Sequence, residues 1–345
     1  MSDNGLTYEE AGVDRAAARA ARDRIRELAA GTRTEGVRSA VGSFGGRFAV
    51  DGPTDLVASA DGVGTKLKVA FRSGRHGTVG EDLVNHCVDD LLTEGGEPLF
   101  FLDYFASGEL DAETAVRVVE GIARGCRRNG CALLGGETAE MPDLYATGEY
   151  DLAGFAVGRV AWPRAAAREV EAGDRLVALE AGGLHTNGYT FARRVLFDRM
   201  GLAADDPWPG PEADVSVADV LLRVHRSYLP VLRGPLDAGL VRAIAHVTGG
   251  GLEGNLDRVL PGELDARVEL AGHEPPEVFR VLQRESGAST AEMYRTFNMG
   301  VGMVAVVRPE DAEAVRTAAA DAGCRAFDCG ELVPGRGRVR LEGAG

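Results

Sequence analysis

The chain has 345 residues, of which 45% are hydrophobic and 26% charged, with a formal net charge of −15 at pH 7. That length accommodates two ordinary domains with separate cores, and the composition is that of a globular protein. The acidic balance argues against a nucleic-acid or anionic-membrane binder, so a phosphate-bearing ligand must meet positive potential supplied locally by metal ions, backbone N–H groups and a few cations.

The chain opens on Met1-Ser2-Asp3-Asn4-Gly5, with no basic and apolar leader pattern. Residues 13–30 read as a helix, with Ala18, Ala21, Ile25 and Leu28 at helical spacing and Gly31 as its stop. A glycine-rich stretch from Gly42 to Phe48 follows, then a strand over 55–60 that runs into an Asp61-Gly62 turn. Residues 81–94 form a helix with Val84, Val88 and Leu91 as its apolar stripe. Residues 98–106 form an aromatic-rich strand expected to be buried on both faces. Asp111 caps the next helix and Gly130 ends it. Strands are expected at 131–134 and 150–160.

Residues 162–168, Trp-Pro-Arg-Ala-Ala-Ala-Arg, read as a junction between domains at 1–165 and 166–345. Beyond it the pattern predicts a strand at 175–179, helices at 189–200 and 217–229 with Pro230 as a stop, and a strand at 242–247. A helix at 275–284, a strand at 299–307 and a helix at 310–322 complete it. The fold class is α/β (α+β) in two domains. The longest apolar runs, such as that from Val301 to Val307, are too short to cross a bilayer. Five cysteines, odd in number and without a CxxC pair, predict reduced thiols in a cytoplasm.

Five segments carry chemistry-bearing residues. The first holds the chain's only two lysines, Lys66 and Lys68, in Asp61-Gly62-Val63-Gly64-Thr65-Lys66-Leu67-Lys68. It is neither a Walker A loop nor a dinucleotide GxGxxG. Asp61 offers a hard oxygen ligand for Mg²⁺, Gly62 and Gly64 open backbone amides to phosphate, and Lys66 supplies a compact cation. The bland alternative is a turn with a surface lysine. On the next helix His86 and Asp90, four apart, share a face beside Asp89. Adjacent carboxylates on an apolar helix call for a nearby cation. The alternative there is one solvated aspartate and one helix-face ion pair.

In Gly135-Gly136-Glu137-Thr138-Ala139-Glu140, read as the turn after a buried strand, Glu137 is a candidate metal ligand. In Gly182-Gly183-Leu184-His185-Thr186-Asn187-Gly188, His185 can titrate near neutrality and serve as acid or base. Thr186 and Asn187 add donors to an anion, although Asn187 as a plain helix cap is the competing reading. Thr248, Gly249, Gly250 and Gly251 form a second candidate phosphate cradle, and His246 before them reads as a core residue. Together the segments describe a cleft for a nucleotide, Mg²⁺ and a second phosphorylated ligand.

Over nearly its whole length the chain resembles the phosphoribosylformylglycinamidine cyclo-ligase (aminoimidazole ribonucleotide synthetase) family. The resemblance rests on residues 8–14 (Tyr-Glu-Glu-Ala-Gly-Val-Asp), the Asp61–Lys66 segment and residues 98–104 (Pro-Leu-Phe-Phe-Leu-Asp-Tyr). It extends through the Gly135, His185 and His246 segments to Tyr294-Arg295-Thr296-Phe297-Asn298. It implies a two-domain, PurM-like ATP-binding fold and a homodimer whose N-terminal domains share a β-barrel. It also implies ATP-dependent closure of an imidazole ring. By motif, Asp61 and Asp90, with Glu137, correspond to the Mg–ATP carboxylates, and Thr65 and Lys66 to the nucleotide side. His185, Thr186, Asn187 and Gly188, with Thr248, Gly249 and Gly250, correspond to the substrate side; His185, Asp90 and Lys66 are the expected catalytic groups. The chain departs from the family's usual pattern at Asp89, where asparagine is common, and at Arg26, where lysine is frequent. The alternative is a small-molecule kinase or selenophosphate-type synthetase of the same superfamily.

Overall fold

A computed structural model describes residues 5–7, 9–11, 28–39, 43–52, 54–212 and 214–343. The helix expected at 13–30, Arg26 and Gly42 therefore lie wholly or mostly outside the described residues; residues 28–30 are helical. The eleven strands among the described residues fall into two sheets.

The first sheet comprises β1 (Gly46–Phe48), β2 (Leu56–Gly62), β3 (Gly96–Ser107), β4 (Ala132–Glu140) and β5 (Tyr150–Val160), in the order β1-β2-β5-β3-β4. Its pairs are antiparallel except β3 with β4. A parallel pair needs a crossover, and helix α3 (Ala112–Asn129) provides it. That helix begins and ends as its sequence dictates. Asp111 accepts from the N–H groups of Glu113 and Thr114, and Gly130 closes it in the left-handed conformation.

Helices α1 (Leu67–Ser73) and α2 (Val79–Thr93) precede the crossover. Every residue of α2 is buried, because it packs on β2, β3 and β5 on one side and on the second sheet's β7 on another. The second sheet contains β6 (Arg175–Glu180), β7 (Val241–His246), β8 (Leu264–Glu269), β9 (Val301–Val307), β10 (Ala326–Pro334) and β11 (Val339–Glu342), in the order β11-β8-β10-β6-β9-β7. Only β11 with β8 is parallel. Its helices are α4 (Pro163–Ala167), α5 (Tyr189–Arg193), α6 (Val217–Leu221), α7 (Leu229–Asp237), α8 (Gly251–Leu256), α9 (Glu277–Ser286), α10 (Thr290–Thr296) and α11 (Ala312–Asp321).

Three expectations are corrected. The helix expected over 217–229 stops at Leu221, the end of α6; residues 222–228 are not helical, and Pro230 lies in the first turn of the next helix, α7. A proline there loses no hydrogen bond, so it starts a helix more readily than it stops one. The Gly135-Gly136-Glu137 segment is not a turn after a buried strand; it lies within β4, paired with β3 as far as Glu140 and mostly exposed. Glycine is required at 136, where a Cβ would stand 2.5 Å from the Asp103 carbonyl oxygen. Strand β3 is not buried on both faces. Phe101 and Phe105 are buried in the core, while Leu99 is 41% exposed, as Leu134 of β4 and Phe155 of β5 are also exposed.

Candidate functional site

Asp61 lies at the end of β2, opposite Gly154 of β5. Its Oδ1 accepts the Gly62 N–H at 2.7 Å, and its Oδ2 lies 2.9 Å from His86 Nε2 with the Asp61 side chain 38% exposed. Asp90, one turn on from His86 along α2, accepts the Ser59 hydroxyl on Oδ2 at 3.3 Å. Its Oδ1 takes His246 Nδ1 at 2.8 Å. The i, i+4 spacing thus turns His86 and Asp90 to one side of the helix, where β2 and β7 each supply a partner. Burial pushes the Asp61 carboxyl up, but the charge and hydrogen bond of His86 outweigh it, so the net shift is downward. Burial lowers His86, yet Asp61, then Asp90 and Asp89, overcome this and raise it to about 9. His86 pairs directly with Asp61, while Asp90, of the adjacent pair on α2, is met by His246 and Asp89 by the Tyr228 N–H.

The loop before α5 closes on this group. Thr186 Oγ1 lies 2.8 Å from His86 Nδ1, and Asn187 is half-buried beside it. The cap of α5 is Gly188, left-handed at φ 78°, and not Asn187. The Asn187 Oδ1 is 3.1 Å from where a Cβ on Gly249 would stand, so the two glycine-rich loops meet there. Thr248 turns its hydroxyl to Asn255 Oδ1 at 3.1 Å, while Gly249 and Gly250 are exposed. Gly64 and Thr65 are exposed too, and Thr65 Oγ1 meets Thr190 Oγ1 at 2.9 Å.

Lys66 points inward. It is fully buried, 2.8 Å from Asp82 Oδ2, and donates to the carbonyls of Arg223 at 2.7 Å and His185 at 3.3 Å. Burial pushes Lys66 down and Asp82 up, with the ion pair opposing both. Asp82 Oδ1 also accepts the His225 N–H at 2.6 Å. Asp89 Oδ1 accepts the Tyr228 N–H at 2.8 Å, and Asn85 donates to the His225 carbonyl at 2.7 Å. Polar groups of α2 and its neighbour Lys66 therefore clasp the 223–228 segment of the second half. Asp89 faces this clasp; burial pushes its carboxyl well above the usual carboxylate range.

His185 also faces inward, 2% exposed. Its Nε2 accepts the Gly182 N–H at 3.1 Å, and burial, then neighbouring cationic groups, hold it well below its ordinary value. Glu137 is not brought to this group within the chain. From β2 to β4 is three strand spacings, about 14 Å. A separate groove of about 530 Å³ at the junction, lined by Glu97, Arg159, Trp162 and Arg164, contains none of the motif residues.

Sequence reasoning missed Asp82 and His225, which lie in no motif. The available signal for Asp82 was its spacing of three, four and seven from Asn85, His86 and Asp89, which puts all four on one polar helix face; none existed for His225. It also left the Tyr294–Asn298 motif without a task. In the structure Asn298 donates to the Gly183 carbonyl at 2.9 Å. A Cβ on Gly188 would fall 2.2 Å from the Phe297 ring, and one on Gly251 would fall 1.7 Å from the Tyr294 carbonyl oxygen. The motif braces both glycine-rich loops.

The N-terminal domain of AIR synthase related proteins matches residues 24–160, and the C-terminal domain matches residues 171–342. A phosphoribosylformylglycinamidine cyclo-ligase of Sorangium cellulosum is 50% identical over 336 residues, covering 95% of each chain. One from Myxococcus xanthus is 47% identical, covering 97% of this chain and 98% of the relative. Among solved structures, the thiamine-monophosphate kinase of Stenotrophomonas maltophilia superposes with a TM-score of 0.61 at 19% identity, covering 93% and 95% of the two chains. The hydrogenase maturation protein HypE in complex with ATP gives 0.58 at 19%, covering 98% and 94%. These last two share the fold. Both domain models in order, and nearly half of all residues identical from end to end, decide the family: this chain belongs to the phosphoribosylformylglycinamidine cyclo-ligases.

Proposed function

We propose that the protein closes the imidazole ring of aminoimidazole ribonucleotide from formylglycinamidine ribonucleotide at the expense of ATP. The carrying observation is full-length identity to cyclo-ligases, of 44–50%. The formyl amide oxygen takes the γ-phosphoryl group of ATP and ADP leaves. The amidine nitrogen then attacks the same carbon, the C–O bond breaks with release of phosphate, and loss of a proton leaves the aromatic ring. Phosphorylation converts a poor leaving group into a good one, so the protein's contribution is positioning and electrostatics.

Asp61 and Asp90 provide hard carboxylate oxygens, one of them at an exposed edge, which suits Mg²⁺. They would hold the ion, which when bound supplies charge neutralisation at the transferring phosphoryl group. The exposed Gly64-Thr65 turn and the Gly249-Gly250 turn offer backbone amides to the two phosphorylated ligands. Thr186 and Asn187 lie where the turns converge. Lys66 acts through position, anchoring the Thr65 turn to the 223–228 segment.

The exposed apolar side chains Leu99, Leu134 and Phe155 of the first sheet support a homodimer in which two N-terminal sheets complete a barrel. Glu137, on the mostly exposed edge strand β4, would reach a metal site only through this assembly. Free cysteines throughout support a cytoplasmic setting. Among the described residues no helix is long and apolar enough to cross a membrane.

The test is direct. Purified protein with ATP, Mg²⁺ and formylglycinamidine ribonucleotide should yield aminoimidazole ribonucleotide, ADP and phosphate in equal amounts. Phosphorylation of thiamine monophosphate or selenide without any imidazole product would overturn the reading in favour of a superfamily kinase or synthetase.

A further inference from the structure

All five cysteines are free thiols, and ring closure as proposed above uses none of them. Two are held together by the fold. We propose that Cys126 and Cys131 form a redox-modification site, a dithiol that a hydroperoxide closes to an intramolecular disulfide and that a dithiol reductant reopens. The site stands independently of the ring-closure reading.

The geometry comes from the way α3 ends. Gly130 is left-handed at φ 68°. Its N–H donates to the Arg127 carbonyl at 3.3 Å, and the Cys131 N–H donates to the Cys126 carbonyl at 3.0 Å. These two bonds make a Schellman cap, which folds the chain back and sets the side chain just past the helix against one in its last turn. That contact is frequently apolar; here both side chains are thiols, and they hydrogen-bond to each other. A disulfide requires Cα atoms about 4.4–6.8 Å apart, and the cap supplies the chain reversal that such closeness needs. The spacing of five residues matches no CxxC motif.

The two thiols differ as an attacking and a resolving cysteine do. Cys126 is 2% exposed, whereas Cys131 is only half-buried. The hydrogen bond from Cys126 holds the Cys131 thiol below its ordinary range against the effect of burial, and the same bond, with burial, holds Cys126 above it. Thiolate character, access and a neighbouring second thiol are what make oxidation selective for one site. The remaining cysteines lack that combination. Burial pushes Cys87, Cys324 and Cys329 up, and Cys87 and Cys324 direct their thiols to the Gly154 and Arg325 carbonyls.

With hydrogen peroxide the Cys131 thiolate attacks one oxygen, the O–O bond breaks, and hydroxide leaves and takes up a proton as water. Cys131 is then a sulfenic acid. The Cys126 sulfur gives up its proton and attacks the Cys131 sulfur; the S–O bond breaks, a second water leaves and the S–S bond forms. Two thiols lose two electrons, and one peroxide becomes two waters. Dithiothreitol reverses the change by two thiol–disulfide exchanges and is itself oxidised to its cyclic disulfide.

The experiment treats reduced full-length protein with hydrogen peroxide, blocks free thiols by alkylation and digests with trypsin without reductant. Cleavage after Arg124, Arg127 and Arg128 puts the two cysteines on separate peptides, so the disulfide appears as a cross-linked peptide pair. Expected are that pair, monomer mobility on a non-reducing denaturing gel, loss of two of the five free thiols, and recovery of both with dithiothreitol. Cys126→Ser should leave Cys131 as a sulfenic acid that dimedone captures, while Cys131→Ser should leave Cys126 reduced. Absence of the cross-linked pair, a pair formed only after unfolding in urea, a pair joining two chains, or Cys87, Cys324 and Cys329 oxidising as fast would each overturn the proposal.

Discussion

Replacing Lys66 separates a structural lysine from a chemical one. Its ammonium is fully buried, paired with an equally buried Asp82 and bonded to two carbonyls of the second half. Lys66→Met leaves Asp82 without its counter-charge and the Arg223 and His185 carbonyls without a donor. Removing one partner of a buried pair costs about 3–5 kcal/mol. At about 2–4 °C per kcal/mol, the melting temperature should fall by something on the order of 10 °C. Asp82→Asn keeps an acceptor for the His225 N–H and removes the charge. The double variant Lys66→Met/Asp82→Asn should therefore recover part of the loss, a coupling of about 1–3 kcal/mol in a double-mutant cycle. Urea unfolding monitored at Trp162 and Trp208 provides the four stabilities. A Lys66→Met protein as stable as wild type but inactive would refute the clasp and return Lys66 to direct contact with nucleotide.

Four further outcomes follow from the geometry. Asp61→Asn should abolish ring closure and keep the native circular dichroism, while the melting temperature falls because buried His86 loses the charge that faces it; near-normal turnover would remove Asp61 from the metal site. Lys68→Arg alters only a half-exposed pair with Glu149, and stability should move by less than about 1 kcal/mol; a large loss would contradict that reading. Gly188→Ala combines a left-handed φ of 78° with a Cβ 2.2 Å from the buried Phe297 ring. The strain of about 1–2 kcal/mol and overpacking of about 1–3 kcal/mol should lower both stability and activity, and a neutral result would show that the Phe297 brace yields freely. Asn298→Ala removes the donor to Gly183 and should cost about 1–3 kcal/mol, with KM for the ribonucleotide rising more than kcat falls; unchanged kinetics would free the loop from this brace.

Legibility tracked locality. The Asp111 cap, the Gly130 stop and the strand at Tyr150–Val160 depend on residues next to one another in the chain, and pattern reading found them. The break after Leu221 was hidden, because what ends α6 is the clasp of the following segment by Asp82, Asn85 and Asp89, more than 130 positions earlier in the chain. Likewise Gly135-Gly136 has the composition of a turn, yet parallel pairing with β3 carries it as strand.

Composition, spacing and motif by themselves determined that this chain is a two-part α/β protein with paired carboxylates and glycine-rich turns suited to phosphate. The pairing of Asp61 with His86 and of Asp90 with His246, the inward turn of Lys66 and His185, and the separation of Glu137 from its expected partners emerged only from the tertiary structure. The physical reason is burial. Helix α2 is enclosed on every residue, so each polar group on it must find a partner from whichever element packs there. Glu81 is met by Arg124 and Arg128 of α3, whereas the partners of Asp82, Asn85, His86, Asp89 and Asp90 include Lys66, β2, β7 and the 182–188 and 223–228 segments, several of which only the packing of one sheet against the other brings within reach. The chain's two lysines, side by side in sequence, diverge for the same cause: Lys68 stays half-exposed beside Glu149, while Lys66 is drawn into the seam between the two halves.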